Sequence, residues 1–344
     1  MRAGVAPSFD INPRALAAFV PEPSFVAARG LTSAHAQTIF ATLLRSTRLA
    51  GVAYERWDLP DGDFVDVAVL AAPTDRPHVL VLHGLESSAN AGYMIETLRA
   101  IQRLGWGAFA MNFRSCGTEM NRKPRSYHAG ETGDALETLK RIRTQVNGPI
   151  YGIGFSLGGS VMMKLLSETG ADCPIDAASV VSVPFDLSKC ADLIDEGRGW
   201  LVVYRERFLI RMRKKAREKA KRFPDHFDLG EIRRARTLRR FDELVTAPLH
   251  GFASAEEYYQ DSSAGPRVAQ IARPTWVLSA LDDPLIPASS IPIEAMKRNP
   301  FIQSLQTEHG GHVGFVAGSR LRPQYWAEAQ AVNFLAHIDR IRPR

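Results

Sequence analysis

Apolar runs of strand length alternate with longer helix-like segments through most of the 344-residue chain. The strand-like runs are FVDVAVLA, HVLVLHG, GAFAMNF, PIYGIGFS, AASVVSV and PTWVLSA. Most of them are almost continuously apolar, which is typical of strands buried on both faces of a sheet. Helix-like segments lie near 91–104, 130–146, 158–169 and 324–341. This order predicts an α/β fold with a mostly parallel central sheet and helices on both faces.

Two stretches interrupt the alternation. Residues 185–265 contain no strand-like run and are typical of several consecutive helices. We therefore predict a helical cap inserted between two core segments, 51–184 and 266–344. Residues 1–50 contain one long apolar stretch, TIFATLLR, and we expect them to form an arm packed on the core.

The composition, with 45% hydrophobic and 23% charged residues, is that of a globular protein with room for a large core. Its three cysteines, Cys116, Cys173 and Cys190, are far apart and match neither a zinc motif nor a disulfide framework. The N-terminal residues lack a secretory-signal pattern, and no apolar run approaches the roughly 18 residues that cross a bilayer. These features predict a reducing, cytoplasmic location.

The segment Gly154-Phe155-Ser156-Leu157-Gly158 joins a strand-like run to a helix-like run. In that setting G-x-S-x-G places a nucleophilic serine on a sharp turn, where strained backbone exposes the hydroxyl of Ser156. The Leu157 N–H would begin the helix, where it can stabilise a developing negative charge. By itself the pattern could also arise by chance. A dinucleotide-binding interpretation is weaker, because it needs a small residue where Leu157 stands.

A second backbone donor is expected where the run HVLVLHG ends. In folds with a serine on a strand-to-helix turn, this loop supplies one N–H group of the oxyanion hole. The Leu85 N–H is the candidate, and Gly84 would let the backbone approach the substrate closely. We interpret His83 as a buried structural histidine rather than a proton-transfer group.

Candidate acids and bases follow the last strand-like runs, in the chain order Ser, Asp, His that an α/β hydrolase uses. Asp282 and Asp283 come directly after PTWVLSA, and His309 and His312 lie in HGGHVGF. An aspartate there can orient an imidazole that deprotonates Ser156. A zinc site is a weaker interpretation, because HGGH lacks the spacing and the glutamate of the zinc peptidase motif. The set predicts acyl transfer through an acyl-enzyme, with no metal and no organic cofactor.

Longer motifs make the pattern specific. They are HAQTIF at 35–40, HGLESSAN at 83–90, NFRSCGTEMNR at 112–122, YHAGETGD at 127–134, GFSLGG at 154–159, DDPLIP at 282–287 and HGGHVGF at 309–315. With these motifs the chain resembles the YheT-like branch of the α/β hydrolases. That branch includes the α/β-hydrolase-domain proteins 1 and 3 and the yeast medium-chain acyl ethyl-ester synthase/esterases.

The resemblance implies site residues and a substrate class. Asp283 matches the family pattern D-x-x-[VI]-P and His312 matches G-H-x-G, so Asp283 is the implied acid and His312 the implied base. Asp282 is the alternative acid, and His309 is then a structural neighbour. The implied activity is an esterase or an acyltransferase acting on short to medium acyl chains, with lipid esters such as phospholipids among the candidates. The family's glycine after the arginine of N-F-R is replaced here by Ser115, so we assign no catalytic role to that loop.

The cap is expected to close over Ser156 and line an acyl pocket, with Trp200 and Phe208 as candidate pocket residues. Residues 205–222 predict an amphipathic helix with a strongly cationic face. That face either contacts an anionic membrane or forms a solvated outer surface of the cap. Nucleic-acid binding is not predicted, because few aromatic residues interleave the basic ones. A non-catalytic binding protein on the same scaffold is the remaining alternative, and the intact Ser, Asp, His set argues against it.

Overall fold

A computed structural model describes residues 13–319 and 321–342, which centre on one eight-stranded sheet. The strands are β1 Val52–Asp58, β2 Phe64–Leu70, β3 His78–Leu82, β4 Gly107–Met111, β5 Ile150–Phe155, β6 Ala177–Val181, β7 Thr275–Ala280 and β8 Ile302–Thr307, followed by a small hairpin of β9 Val316–Gly318 and β10 Pro323–Tyr325. Across the sheet their order is β1-β2-β4-β3-β5-β6-β7-β8. The strands from β4 to β8 in this order are parallel, whereas β2 pairs antiparallel with β1 and β4. The predicted mostly parallel sheet is confirmed.

Helices cover both faces of the sheet. They are α1 Pro13–Ala17, α2 Ala34–Leu44, α3 Gly92–Arg103, α4 Gly133–Gln145, α5 Leu157–Thr169, α6 Leu187–Glu196, α7 Trp200–Ala220, α8 Leu229–Arg234, α9 Leu238–Phe241, α10 Ala247–Leu249, α11 Ala255–Ser262, α12 Ile293–Arg298 and α13 Trp326–Ile341. Strand β3 shows why its run is continuously apolar. Val79 and Val81 pack with residues of α3 and α13, while Leu80 and Leu82 point to the other face and pack with α4 and α5.

The described part of the N-terminal segment, from residue 13 to residue 50, packs on the core. Leu16 and Phe19 are buried, and the Phe19 ring meets Trp276 and Phe334 edge-on at centroid distances of 5.9 and 5.3 Å. Further on, α2 packs against α3. Residues 1–12 of the predicted arm lie outside the described residues.

Residues 185–265 form helices and turns between β6 and β7, with a π-helical turn at Asp242–Thr246 and no strand. Their two ends meet, because Gly265 N donates to Phe185 O at 2.9 Å. The segment has a hydrophobic cluster of its own, which includes Tyr204 and Leu209. Leu285, which lies outside the segment, packs in the same cluster. None of the described helices combines the length and apolar composition needed to cross a membrane.

Candidate active site

Ser156 stands at the turn between β5 and α5 in a left-handed conformation, with φ 52° and ψ −123°. The flanking glycines make this turn possible. A Cβ on Gly154 would lie 2.5 Å from Gly158 O, and a Cβ on Gly158 would collide with Leu82 O at the end of β3. The backbone therefore needs glycine at both positions to turn so closely.

Ser156, His312 and Asp283 are joined by two hydrogen bonds, although they are far apart in the chain. Ser156 Oγ lies 2.9 Å from His312 Nε2, and His312 Nδ1 lies 2.8 Å from Asp283 Oδ2. The Asp283 side chain is buried, and its Oδ1 accepts a hydrogen bond from Leu285 N at 2.8 Å. An ionised carboxylate only accepts, so it favours the tautomer with the proton on Nδ1 and leaves Nε2 free to accept the Ser156 proton.

The neighbouring pair, Asp282 and His309, lies outside this chain of contacts. Asp282 Oδ1 accepts from Gly311 N at 2.9 Å, and its Oδ2 lies 3.3 Å from His309 Nδ1. His309 is exposed. Asp282 thus braces the histidine loop, while Asp283 contacts the histidine that faces Ser156.

Residues of α2 and its C-terminal end hold the His312 loop in place. Thr38 Oγ1 accepts from His312 N at 2.9 Å, and Arg45 Nη2 donates to Val313 O and Gly314 O at 2.8 and 2.9 Å. The loop needs this support because Val313 has a left-handed φ of 53°. These supports were not identified from sequence, although Thr38 lies in the motif HAQTIF.

The loop after β3 lies directly against the serine. A Cβ on Gly84 would stand 3.1 Å from Ser156 Cβ, so a side chain here would push against the serine. His83 is fully buried, with Nδ1 2.8 Å from Gly84 O and Nε2 accepting from Phe113 N at 3.2 Å. Burial lowers the pKa of His83 to about 3. His83 is therefore neutral, and both ring nitrogens serve to fix the loop.

Glu86, the next residue but one after Gly84, is held by three polar side chains. Its φ is 51°, and its N–H donates to Tyr127 Oη at 2.8 Å. Its carboxylate accepts from Tyr127 Oη and from Lys215 Nζ, both at 2.9 Å, and its carbonyl accepts from Arg211 at 2.7 Å. Because Arg211 and Lys215 belong to α7, the cap fixes the loop that carries Leu85.

An apolar cavity opens beside Ser156, and Leu85, Leu157 and His312 line it. The cap contributes mostly apolar lining residues, among them Ile194, Phe208, Met212, Phe227, Phe241 and Val245, together with Lys215, Lys219, Asp242 and His250. Of the two candidate pocket residues, Phe208 lines this cavity and Trp200 does not. Trp200 is 50% exposed, and its ring lies 6.1 Å from that of His35.

Among the described residues, His128, Glu131 and His250 form a cluster whose ligand atoms lie within 4.8 Å of one another. Glu131 is already paired with Arg125. Burial and nearby cations, including Arg125, lower the pKa of His128 to about 3 and that of His250 to about 2. A metal ion could use the Glu131 carboxylate only by displacing Arg125, so the cluster as it stands does not suit a cation.

Comparison with known proteins agrees with the fold. Residues 77–319 match the model of a family described as the alpha/beta hydrolase fold. The chain belongs to the α/β-hydrolase family. Within it, the chain is 37% identical over 323 residues to YheT of Escherichia coli (strain K12), which covers 92% of this chain and 94% of YheT. This likeness confirms the YheT-like branch.

Two further α/β hydrolases are similar to the chain. The monoacylglycerol lipase of Saccharomyces cerevisiae (strain ATCC 204508 / S288c) is 33% identical over 247 residues, 70% of this chain and 55% of the lipase. The solved structure of the Pyrococcus furiosus esterase Pf2001 has a TM-score of 0.55 and 18% identity, covering 83% of this chain and 92% of that one. The chain therefore spans little more than half of the yeast lipase. Together the family and its relatives identify this protein as a carboxylic ester hydrolase.

Proposed function

We propose that Ser156, His312 and Asp283 form the catalytic triad of this ester hydrolase. The unbroken contact from Ser156 Oγ through the imidazole to Asp283 Oδ2 carries the proposal. His312 takes the Ser156 proton as the hydroxyl attacks the ester carbonyl, and the buried carboxylate stabilises the imidazolium. His312 then protonates the departing alcohol, and water repeats the cycle on the acyl-enzyme.

The N–H groups of Leu85 and Leu157 supply the oxyanion hole in this proposal. Both residues line the cavity beside Ser156, and Leu157 is the first residue of α5. N–H groups in the first turn of a helix have no partner within the helix, and the helix dipole favours negative charge there. Donors fixed before the reaction stabilise the oxyanion that exists only in the transition state.

Labelling with a fluorophosphonate probe tests the nucleophile. We expect the folded protein to be labelled covalently and the variant Ser156→Ala to be unlabelled and inactive. Ser167→Ala is the matched control, since Ser167 lies in the same helix about 16 Å further along it. A folded wild-type protein that stays unlabelled would overturn the triad and would favour a non-catalytic binding protein on the same scaffold.

The substrates we propose are esters with short to medium acyl chains, lipid esters included, whose chain enters the apolar cavity. Met212 and Val245 line this cavity from the cap. Activity across a p-nitrophenyl series from acetate to palmitate should peak at one chain length, and Val245→Trp should move the peak to shorter chains. A peak that does not move in the folded variant would place the acyl chain elsewhere.

Acyl transfer to an alcohol is a second candidate, because it uses the same acyl-enzyme with an alcohol in place of water. The mostly apolar lining around Ser156 favours acyl transfer, because it disfavours the water that competes with the alcohol for the acyl-enzyme. Product analysis with added ethanol separates the two reactions. Ethyl ester in excess of the ethanol-to-water ratio indicates a transferase, and free acid alone indicates a hydrolase.

Peripheral contact with anionic membranes is also proposed, through the outer face of α7. Trp200, Val203 and Ile210 are exposed on this helix, the exposed cation Arg217 lies in its last turn, and the exposed Lys221 comes directly after its end. An exposed apolar stripe bordered by cations is typical of helices at membrane interfaces. Sedimentation with phosphatidylglycerol vesicles should show binding that salt weakens, whereas equal binding to neutral vesicles would exclude an electrostatic contact.

A further inference from the structure

Two cavities of different character meet at Ser156 and His312. The first is the apolar cavity under the cap. The second is a groove between α2, the loop after β3 and α7, and Ser156, His312 and Leu85 line it as well. An ester has two arms on either side of its carbonyl, so two cavities meeting at one serine can take one arm each.

The groove is lined by cations that α7 places along one side of the helix. Arg207, Arg211 and Lys214 are all exposed and line the groove at spacings of three or four residues, which puts them on one helical face. Among the described residues, no carboxylate is paired with Arg207 or Lys214. Partial desolvation against the groove wall and the neighbouring Arg211 lower the pKa of Arg207, as expected for a cation with no counter-charge.

The carboxylates that line the same groove are already neutralised. Glu86 accepts from Lys215 at 2.9 Å, and Glu218 lies 2.7 Å from Lys221. The groove therefore keeps an excess of positive charge beside the reacting serine. A negative charge placed there would gain attraction from Arg207 and Lys214. Two lysines also line the first cavity, but Lys215 already donates to Glu86 and Lys219 to three backbone carbonyls.

We propose that the groove binds an anionic group on the alcohol part of the ester, held by Arg207 and Lys214. This inference rests on the proposed triad and assigns the two arms of its substrate. The acyl chain occupies the apolar cavity, and the alcohol lies in the open groove, where it leaves after His312 protonates its oxygen. The guanidinium of Arg207 suits the planar or tetrahedral oxygens of a carboxylate, sulfonate or phosphate.

A pair of water-soluble esters with the same butyryl chain tests the inference. One is 4-butyryloxybenzenesulfonate, which carries its charge on the alcohol side, and the other is neutral 4-acetylphenyl butyrate. The measured quantity is the ratio of kcat/KM for the anionic ester to kcat/KM for the neutral ester. Differences between preparations in the fraction of active enzyme cancel in this ratio. We expect this ratio to fall about fivefold to tenfold in Arg207→Gln/Lys214→Gln and to fall in the wild type as salt rises.

Arg217→Gln is the matched control, since Arg217 is an exposed cation on α7 outside the groove lining. A ratio that falls as much in the control as in the double variant would overturn the subsite. The subsite would also be overturned if the double variant lowered kcat/KM more for 4-acetylphenyl hydrogen adipate, whose charge is on the acyl side, than for the sulfonate ester. If the double variant changes kcat/KM equally for both soluble esters and weakens only the binding to phosphatidylglycerol vesicles, the cations contact a membrane surface and the substrate subsite is wrong.

Failure of this inference is distinguishable from failure of the triad. If Ser156 is unlabelled and neither ester is cleaved, the proposed function itself is wrong. If the neutral ester is cleaved and Ser156 is labelled while the ratio does not change, the triad stands and the groove does not select charge.

Discussion

Asp282 and Asp283 are adjacent after β7, yet they contact different histidines, and this difference predicts different losses of activity. In Asp283→Asn, the amide no longer selects the Nδ1-protonated tautomer of His312 or stabilises its cation, so kcat should fall by about 10³–10⁴. Asp282→Asn keeps an acceptor for Gly311 N and should lower kcat by less than about tenfold. Hydrolysis of p-nitrophenyl butyrate measures both. Equal losses would mean that the acid is assigned to the wrong residue.

At the site, sequence motifs were enough to name the side chains that meet at Ser156 but not those that hold them. Ser156 and the two aspartates follow strands, and parallel strands bring their carboxyl ends to one edge, so their proximity follows from the element order. The bond from His312 N to Thr38 joins residues 274 positions apart, and no periodicity or spacing predicts it. Trp200 and Phe208 lie on one helix, and hydrophobicity alone could not tell that Trp200 faces outward.

The contact between α7 and the loop after β3 makes the cap part of the proposed active-site geometry. Lys215→Met keeps the aliphatic stem and removes the ammonium that holds Glu86, so the neighbouring Leu85 N–H should lose its alignment. We expect kcat to fall about tenfold with little change in KM, and the affinity for a boronic acid transition-state analogue to fall in parallel. Lys221→Met, which removes an exposed pair with Glu218, is the control. An effect on KM alone would indicate that Lys215 only shapes the pocket.

A buried carboxyl gives the cap a pH-dependent stability. Asp242 accepts from Thr246 Oγ1 at 2.6 Å and from Tyr259 Oη at 2.7 Å, and burial raises its pKa to about 6. The folded state binds the Asp242 proton more tightly than the unfolded state does. The stability that this proton adds is therefore fully present below about pH 4 and is lost as pH rises through 6. The free energy of unfolding of Asp242→Asn should equal that of the wild type near pH 4 and exceed it by at most about 3 kcal/mol at pH 7.

Urea unfolding of the wild type and Asp242→Asn at pH 4, 5, 6 and 7 measures that difference. The other titratable groups are the same in both proteins, so their effects cancel in the difference. A difference in the free energy of unfolding that stays constant across this range would show that Asp242 does not titrate between the two states.

Among the elements, strands buried on both faces were predictable, and β1, at one edge of the sheet, was not. The six apolar runs correspond to β2 through β7, because two covered faces demand apolar residues at every position. In contrast, β1 reads VAYERWD and exposes most of its side chains at the edge of the sheet, where charged residues also discourage pairing with other chains. Such a strand has no apolar run to mark it, and only its pairing with β2 defines it.

At the scale of the whole molecule, Arg45 ties the N-terminal segment, the C-terminal helix and the His312 loop together. It is buried, lies 2.6 Å from Glu328 of α13 and donates to two carbonyls of the histidine loop. Burial raises the pKa of Glu328 to about 7. Removing the arginine leaves a buried carboxylate without its cation, so Arg45→Met should lower the free energy of unfolding by about 3–5 kcal/mol at pH 8.

The loss should be smaller at pH 6, because an unpaired Glu328 can take up a proton there and shed its charge. Lys297→Met, which removes an exposed i,i+3 pair with Glu294, provides the comparison for Arg45→Met and should cost much less, because water screens an exposed pair. Urea unfolding at both pH values measures the two variants, and Arg45→Met/Glu328→Gln should recover part of the loss at pH 8. If Arg45→Met is no more harmful than Lys297→Met, the histidine loop is held by its own turns, and the two ends of the chain do not support the site.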